Sequence, residues 1–314
     1  MVTMRVVAVF LLMASGFVAK KAKVMDASFV RGLSSFLLSV ALPATVISSF
    51  DRSISRSALP ELGKMALIAI GIHVAGILFA TLAYRKFPSP ERKVLSYVTV
   101  FSNCGFMGFP VAESVFGKSG VMFTSMYLVI FTAFIWTYGL SLFAGSGGGK
   151  DSQSEDSPGA GKTMAGLRRV LLNPGTIGTL IGIVVWLLPF SLPVAVNEAI
   201  NLMAGTTTPL SMVLVGATLA DVPLRGLLSG KAVWIGSAMR LAVMPALFFG
   251  VIRLSGASGM AFDVALLLIA MPAAAQSVIF AARYGGDVAL ASRTVFVSTI
   301  LSIVTIPFVA SLVA

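Results

Sequence analysis

Long apolar stretches alternate with short polar ones along most of this sequence. Because a helix needs about 20 apolar residues to cross the hydrocarbon core of a bilayer, we divide the chain into ten predicted membrane-spanning segments, numbered in chain order. Their limits are residues 3–19, 28–50, 63–84, 94–114, 119–144, 170–189, 192–220, 231–253, 261–283 and 289–313. The pattern predicts an all-α membrane protein with ten transmembrane helices.

Segment 1 resembles the apolar core of a signal peptide in length and hydropathy. No small-residue cleavage site follows it, however, and Lys20, Lys21 and Lys23 come directly after it. We therefore interpret segment 1 as a first transmembrane helix that the protein retains.

One long polar stretch, residues 145–169, is rich in Gly, Ser and Asp, which is typical of a flexible cytoplasmic linker. It separates residues 1–144 from residues 170–314, and each part holds five segments. Three pairs of landmarks recur between the parts at a spacing of 166 to 168 residues: Pro43 with Pro209, Gly63 with Gly230, and Gly117 with Gly285. Since five is an odd number, a duplicated second part enters the membrane upside down. We therefore predict the inverted-repeat architecture of secondary transporters.

The composition indicates that lipid is the main solvent of this chain. Hydrophobic residues make up 57% of 314 residues, charged residues 11%, and the mean hydropathy is +0.96, whereas soluble domains carry about 25% charged residues. The net charge of +11 comes from short basic clusters between the segments. Such clusters orient membrane helices and do not indicate nucleic-acid binding. When the Lys and Arg residues are counted on each side of the membrane, most of them lie inside if both termini are outside, as the positive-inside rule requires.

The residues needed for several other functions are missing from the sequence. Cys104 is the one cysteine, which excludes an intramolecular disulfide and a thiolate metal cluster. The sequence shows no Ser-His-Asp arrangement, no HExxH motif and no Asp-rich motif. We therefore predict that the chain is not an enzyme and has no resident cofactor.

Segments 4 and 9 contain residues that interrupt helices. Segment 4 carries the run from Asn103 to Pro110, with two glycines, and segment 9 carries the run from Met271 to Ser277. Proline removes a backbone donor, and broken backbone inside a membrane is tolerated where it lines a cavity or packs against protein. Two broken helices that cross aim positively polarised N-termini at one point, which favours an anion.

The candidate substrate or ion site consists of the polar, small and proline residues at these breaks: Asn103, Cys104, Gly105, Gly108, Pro110, Pro272, Gln276 and Ser277. The two amide side chains, with the serine beside the second, either bind the ligand or satisfy backbone groups freed by the breaks. The glycines allow close packing of helices or close approach of backbone to a ligand. The cysteine is expected to be a small packing residue.

His73 in segment 3 and Arg240 in segment 8 correspond at a spacing of 167 residues. A charge at the bilayer centre costs about 2.5–3.5 kcal/mol on insertion scales. Arg240 is therefore either the partner of an anion or a cation that binds helix-end carbonyls at a break. His73 either serves a proton-coupled step or is a neutral residue bonded between helices. Both are candidates for coupling or charge balance.

The chain resembles a bacterial member of the auxin efflux carrier family, which is related to the plant PIN-formed carriers, and the resemblance covers nearly all of it. It rests on Leu42-Pro43 with Ser48-Ser49-Phe50, Ser102-Asn103 with Gly108-Phe109-Pro110, Asn173-Pro174, and Met271-Pro272 with Arg283-Tyr284-Gly285-Gly286. Asn103 stands seven residues before Pro110, as the crossover asparagine of the plant carriers does. The resemblance therefore implies that Asn103 contacts a substrate carboxylate.

The second break departs from the family pattern. Gln276 replaces an asparagine that is frequent in bacterial relatives, and Ser277 stands where the plant carriers have a second proline. Ligand contacts at this break are therefore carried over less directly than those at Asn103.

The resemblance also implies a fold similar to that of bile acid symporters and sodium–proton antiporters. Segments 1, 2, 6 and 7 would form a scaffold, often dimeric, and segments 3–5 and 8–10 a moving transport unit. The implied function is elevator-type secondary transport of a small organic anion, such as an auxin-like carboxylate or a dicarboxylate, in the bacterial inner membrane. Sodium and the proton both remain candidate coupling ions. A sodium-coupled bile-acid-like symporter is the nearest alternative, and a channel or a membrane sensor is the alternative from another class.

Overall fold

The computed structural model describes residues 2–50, 58–144, 168, 170–188, 192–222, 226–284 and 286–313. Within these residues we number twelve helices: α1 Val2–Lys21, α2 Ala27–Ser49, α3 Leu59–Ala83, α4 Ser89–Val100, α5 Cys104–Phe143, α6 Pro174–Leu187, α7 Val194–Gly205, α8 Thr207–Ala220, α9 Lys231–Ser255, α10 Met260–Ile269, α11 Gln276–Tyr284 and α12 Val288–Val313. Apart from Arg168, the predicted linker at 145–169 lies outside the described residues.

The described helices are those of a membrane protein. Six stretches are long and apolar enough to cross a bilayer, namely α2, α3, α5, α7 together with α8, α9 and α12, while α6 and α10 are apolar but shorter. Large hydrophobic side chains such as Leu67 and Val304 are 70% and 74% exposed, which only an apolar solvent makes favourable over so many positions. The predicted all-α membrane class is confirmed.

Three of the helices continue through a proline by widening one turn. π-helical turns span Leu37–Ala41, Cys104–Gly108 and Met239–Val243, and a proline follows each after one further residue, at Pro43, Pro110 and Pro245. A proline ring clashes with the carbonyl four residues earlier, and a wider turn relieves that clash. The predicted interruption of segment 4, in the run from Asn103 to Pro110, therefore lies at the start of that run, at residues 101–103, and the helix continues through Pro110.

The chain changes direction sharply at two single residues, Gly117 and Thr206. Gly117 in α5 has a φ of 63°, and a Cβ placed on Gly120 would lie 2.5 Å from the carbonyl oxygen of Ala112. These residues would be about 12 Å apart in a straight helix, so the chain folds sharply where segments 4 and 5 are predicted to meet. Segment 7 bends at Thr206, between α7 and α8.

The helices α1 and α8 pack with their backbones in contact. A Cβ on Gly16 would lie 2.0 Å from the carbonyl oxygen of Val213, and one on Gly216 would lie 1.8 Å from that of Met13. Glycine allows such close approach between membrane helices. Lys20 and Asp221, at the C-terminal ends of the two helices, form a 3.4 Å ion pair. The helices α1 and α8 therefore run parallel.

Candidate functional site

The two interrupted segments meet through their backbones. The N–H of Asn103 donates to the carbonyl of Pro272 at 2.8 Å, and the N–H of Ala274 donates to the carbonyl of Phe101 at 3.1 Å. Ser102 and Ala273 face each other between these bonds in an isolated antiparallel bridge. The crossing therefore brings four helix ends together: the C-termini of α4 and α10, and the N-termini of α5 and α11.

A serine from α12 supports the second break. The hydroxyl of Ser298 accepts a hydrogen bond from the N–H of Ala273 at 3.1 Å and donates to the carbonyl of Val295 at 3.2 Å. Backbone that leaves a helix inside a membrane needs such partners because lipid supplies none. The break at residues 270–275 is thus held in place by the neighbouring helix.

Arg240 binds the C-terminal side of the crossing. Its side chain is 1% exposed, and its guanidinium donates to the carbonyls of Thr99, Val100, Ile269 and Met271. Helix C-termini carry a partial negative charge, and here two of them meet, so a fixed cation stabilises their proximity. Of the two interpretations of Arg240, the contacts match the one in which it binds helix-end carbonyls.

Asn103 occupies the N-terminal side of the crossing. It is the N-cap residue of α5, yet its side chain makes no capping bond, and the residue is 6% exposed. Its carbonyl accepts from the N–H groups of Met107 and Gly108. The first N–H groups of a helix have no partner within that helix. The amide side chain and the helix start therefore form a positively polarised site of the kind that binds anions.

The two glycines of this break have different surroundings. A Cβ on Gly105 would meet no atom within 4 Å, whereas a Cβ on Gly108 would lie 2.8 Å from Cδ2 of Leu268 in α10. Gly108 is therefore a packing position, and Gly105 borders open space beside Asn103. Cys104 is fully buried, in agreement with its interpretation as a packing residue.

The three candidate residues of the second break lie in different surroundings. Pro272 lies in the break and accepts the hydrogen bond from Asn103. Gln276, half-buried, begins α11. Ser277 is buried, and its hydroxyl has no hydrogen-bond partner among the described residues. The structure thus joins Asn103 and Pro272 directly and places Gln276 and Ser277 at the other helix start, while Pro110 lies in the first turns of α5.

His73 lies in an aromatic cluster beside the first break. It is fully buried, and its Nδ1 is 2.7 Å from the carbonyl oxygen of Ala69 in the same helix. Its ring packs among four aromatic rings, whose centroids are 4.9 to 6.0 Å away: Phe101, Tyr127, Phe131 and Phe134. Through Phe101, His73 packs against the first break.

Two contacts of the half-helix after Asn103 were not predicted from the sequence. Phe106 packs against a cluster of side chains from α2 and α8 that includes Leu37 and Leu214. Glu113 is half-buried, and its Oε2 accepts a 2.6 Å hydrogen bond from the hydroxyl of Thr208. The seven-residue spacing of Phe106 and Glu113 was an available signal, because it places both on one helix face.

Comparison with known proteins gives a match over almost the whole chain. The membrane transport protein family matches residues 1–310. An uncharacterized transporter of Methanothermobacter thermautotrophicus is 27% identical over 97% of this chain and 96% of its own length. An uncharacterized transporter of Methanocaldococcus jannaschii is 25% identical over 96% of this chain and 95% of its own. A protein of Rhizobium meliloti named "Putative malonate transporter" is 25% identical over 87% of this chain and 84% of its own.

Proposed function

This chain belongs to the membrane transport protein family, and we propose that it is a secondary active transporter of a small organic anion. Membership confirms the resemblance to the auxin efflux carriers and identifies a transporter rather than an enzyme. The relative named for malonate makes a dicarboxylate the first substrate to test. We place the protein in the bacterial inner membrane with both termini outside.

One observation carries this proposal: an asparagine amide that is free of capping bonds lies where two interrupted helices cross. The crossing is made by backbone hydrogen bonds between residues 101–103 and 272–274. Arg240 binds the negatively polarised C-termini on one side. The positively polarised N-termini of α5 and α11 are left for a negatively charged ligand. A carboxylate bound by Asn103 fits this polarity.

The crossing also supports an inverted repeat of residues 1–144 and 170–314, joined by the linker at 145–169. Under this proposal the ends of α4 and α10, Val100 and Ile269, are equivalent positions. The two breaks pair in antiparallel fashion, which is the arrangement that a two-fold axis in the membrane plane produces. The equivalent residues His73 and Arg240 both pack against the breaks.

We further propose elevator-type alternating access. The scaffold would consist of α1, α2, α6, α7 and α8, and the transport unit of α3 to α5 and α9 to α12. Glycines bring backbones into contact inside the proposed scaffold, where a Cβ on Gly178 of α6 would lie 2.9 Å from Cα of Pro43, and where α1 meets α8. Such packing suits a rigid body past which the crossing moves.

Dimer formation through the scaffold remains a proposal from the family resemblance. An apolar groove of about 440 Å³ lies between α2 and α7, lined by residues such as Val40, Ala44 and Ala199. This groove offers no charged group to an anion, so it is a poorer candidate for the substrate site than the crossing. Mass measurement of the protein in detergent, over a range of concentrations, tests for the dimer.

The transport assay uses purified protein in proteoliposomes with radiolabelled malonate, followed by a series of other carboxylates. We expect saturable uptake with counterflow, which a channel does not give. The double variant Asn103→Ala with Gln276→Ala should lose this flux. Full activity in the double variant would overturn the assigned site, and ligand binding without flux for any carboxylate would indicate a sensor.

The coupling ion is tested in the same vesicles. Replacing sodium by N-methylglucamine should leave uptake unchanged if Arg240 already balances the helix C-termini that a bound cation would otherwise stabilise. Uptake that requires sodium would favour the bile-acid-like symporter instead.

A further inference from the structure

The start of α5 presents backbone donors beside a free amide. Asn103 is 6% exposed, and its amide forms no hydrogen bond with the other described residues. The N–H groups of Met107 and Gly108 share the carbonyl of Asn103, whereas those of Gly105 and Phe106 come before this bonded turn and have no partner within the helix. A Cβ on Gly105 would meet no atom within 4 Å. Such donors at a positively polarised helix end suit an ionised carboxylate.

The start of α11 has a different set of polar groups. Its first backbone donors are already used, because the N–H groups of Ser277 and Val278 donate to the carbonyls of Ala274 and Ala275 at 3.0 and 3.2 Å. The amide of half-buried Gln276 remains, as does the hydroxyl of Ser277, which is fully buried and has no partner among the described residues. Amide and hydroxyl groups both donate and accept hydrogen bonds, as a neutral carboxyl group does. This start therefore suits a protonated carboxyl group.

The two helix starts are close enough for one small molecule to contact both. In the antiparallel pairing of the breaks, Asn103 lies opposite Pro272, so Ala274 is its diagonal neighbour at about 7–8 Å. The helix α11 begins shortly after Ala274, at Gln276, whose side chain is one methylene longer than that of Asn103. A ligand with an acidic group at each end of a chain of about three to five carbon atoms matches such a separation.

The fixed charges of the crossing balance one negative charge. Arg240 offsets the negatively polarised C-termini of α4 and α10. The N-termini of α5 and α11 each carry roughly half a positive charge. A ligand with a single negative charge therefore makes the crossing neutral, whereas a dianion leaves one charge unbalanced inside the membrane, which is costly.

The other ionisable side chains of the packed helices lie around the crossing or toward helix ends. Those packed around it are His73 of α3, Tyr97 of α4, and Cys104 and Tyr127 of α5. The nearest charged residues along these helices lie within two turns of a helix end or of the fold at Gly117: Lys93, Glu113, Asp263, Arg283 and Arg293. Thr207–Ala220 of α8, which also packs on the start of α5, contains no Asp, Glu, Lys, Arg or His.

We propose that the substrate is the singly protonated form of a short dicarboxylate, with its carboxylate at Asn103 and its neutral carboxyl group at Gln276 and Ser277. This rests on the proposed transport function. The proton passes from water to the dicarboxylate on one side and returns to water on the other. Because the proton travels on the substrate, the empty carrier returns without one. Each cycle therefore moves one proton with one dicarboxylate.

The first test compares uptake of radiolabelled malonate and malonamate in proteoliposomes, at equal pH on both sides, across the second dissociation of malonic acid. Malonamate has one carboxylate and one neutral amide throughout this range, so it imitates hydrogen malonate. Above that dissociation, malonate uptake from a subsaturating concentration should fall about tenfold per pH unit, whereas malonamate uptake should stay constant. Malonate uptake that does not fall, rejection of malonamate, or a parallel fall for both compounds would overturn the proposal.

The second test measures coupling in the same vesicles. With the membrane potential clamped by potassium and valinomycin, a pH gradient with the acidic side outside should drive accumulation of malonate and none of malonamate. Accumulation of both compounds, or of neither, would overturn transport of the proton on the substrate.

Variants of α11 test the second half of the site. Wild-type protein should prefer malonamate to propionate, which lacks the second polar group, and Gln276→Leu should lose about tenfold of that preference. Asn197→Leu changes an exposed amide of α7 and is the matched control, with the preference unchanged. Ser277→Ala should reduce the malonamate-induced thermal shift without lowering the melting temperature, because its hydroxyl has no partner among the described residues.

A preference retained by Gln276→Leu, or a thermal shift unchanged in Ser277→Ala, would overturn the assignment of the neutral carboxyl group to α11. Absence of flux for every carboxylate in the wild-type protein would instead overturn the proposed transport function, so the two failures are distinguishable.

Discussion

At the scale of single residues, Arg240 illustrates how a buried charge is tolerated in a membrane. Its guanidinium reaches four carbonyl oxygens at the ends of α4 and α10. A planar group with five N–H donors can serve several acceptors at once, which the single ammonium of lysine cannot do with the same geometry. The residue therefore holds the crossing together from its C-terminal side.

Arg240→Gln is predicted to destabilise the protein severely. The substitution leaves buried carbonyls without donors, and each such group costs about 1–3 kcal/mol. We expect a large fall in the melting temperature of the purified protein in detergent, with Arg240→Lys intermediate. Arg253→Gln, which changes an exposed arginine of α9, should leave the melting temperature nearly unchanged. A folded, fully stable Arg240→Gln protein that only loses ligand affinity would instead favour the anion-partner interpretation.

Two asparagines at helix N-termini are predicted to behave oppositely. Asn173 caps α6, since its Oδ1 accepts from the N–H of Gly175 at 3.0 Å, whereas the side chain of Asn103 makes no capping bond. Asn173→Ala should cost about 1 kcal/mol of stability and leave the malonate-induced thermal shift intact. Asn103→Ala should keep the stability and lose that shift. Equal behaviour of the two variants would contradict a ligand role for Asn103.

At the scale of helices, the sequence predicted which segments are interrupted but not the residues at which each helix ends and begins. Proline, glycine and amide residues in apolar surroundings correctly predicted breaks in segments 4 and 9. The first interruption lies at residues 101–103, at the start of the predicted run, and the helix passes Pro110 through a π turn that the sequence did not predict. Segment 4 also begins earlier than its hydropathy indicated, at Ser89, since Pro90 and Glu91 suit a first helical turn.

Contacts between residues far apart in the chain could not be predicted from local sequence patterns. Thr208 and Glu113 are 95 residues apart, and nothing in either local sequence specifies the other. The correspondence of His73 with Arg240 made both candidates for coupling or charge balance, but their different environments, an aromatic cluster and a set of carbonyls, arise from neighbouring helices. The bend at Thr206 was missed, although three threonines followed by Pro209 were an available signal.

The contact between α1 and α8 gives a prediction that belongs to this scale. Gly216→Ala would place a Cβ 1.8 Å from the backbone oxygen of Met13, so the two helices must separate. Overpacking in a well-packed core costs about 1–3 kcal/mol or more, and we expect a lower melting temperature and a poorer yield of folded protein. Gly71→Ala in α3, where a Cβ would meet no atom within 4 Å, is the matched control. Equal stability of the two variants would refute the close contact.

At the scale of the whole molecule, contacts between helix ends can be compared with the ten-segment topology. Lys20 pairs with Asp221, Lys93 donates to the carbonyl of Phe143 at 3.4 Å, and Arg293 donates to Ser229 at 3.3 Å. Each contact joins two positions that the topology assigns to the inner side. These three contacts agree with the predicted segments 2 to 9, because leaving out any one of those crossings would place the partners of at least one contact on opposite sides of the membrane.

The inverted repeat itself makes a prediction about two exposed serines. Ser89 begins α4 and Ser255 ends α9, and a spacing of 166 residues makes them equivalent positions of the two repeats. Because the repeats have opposite orientation, equivalent loops should lie on opposite sides of the membrane. Replacing Cys104 by alanine gives a background without cysteine, into which Ser89→Cys and Ser255→Cys are introduced separately.

Labelling of intact cells with a membrane-impermeant maleimide then reads out the side of each position. We expect Ser255→Cys to react in intact cells and Ser89→Cys to react only after the membrane is disrupted, because the positive-inside distribution places the α3–α4 loop inside. The reversed result would keep the repeat and invert the orientation of the chain. Reaction of both positions from one side would refute the inverted repeat, and with it the pairing of two half-helix N-termini on which the anion site depends.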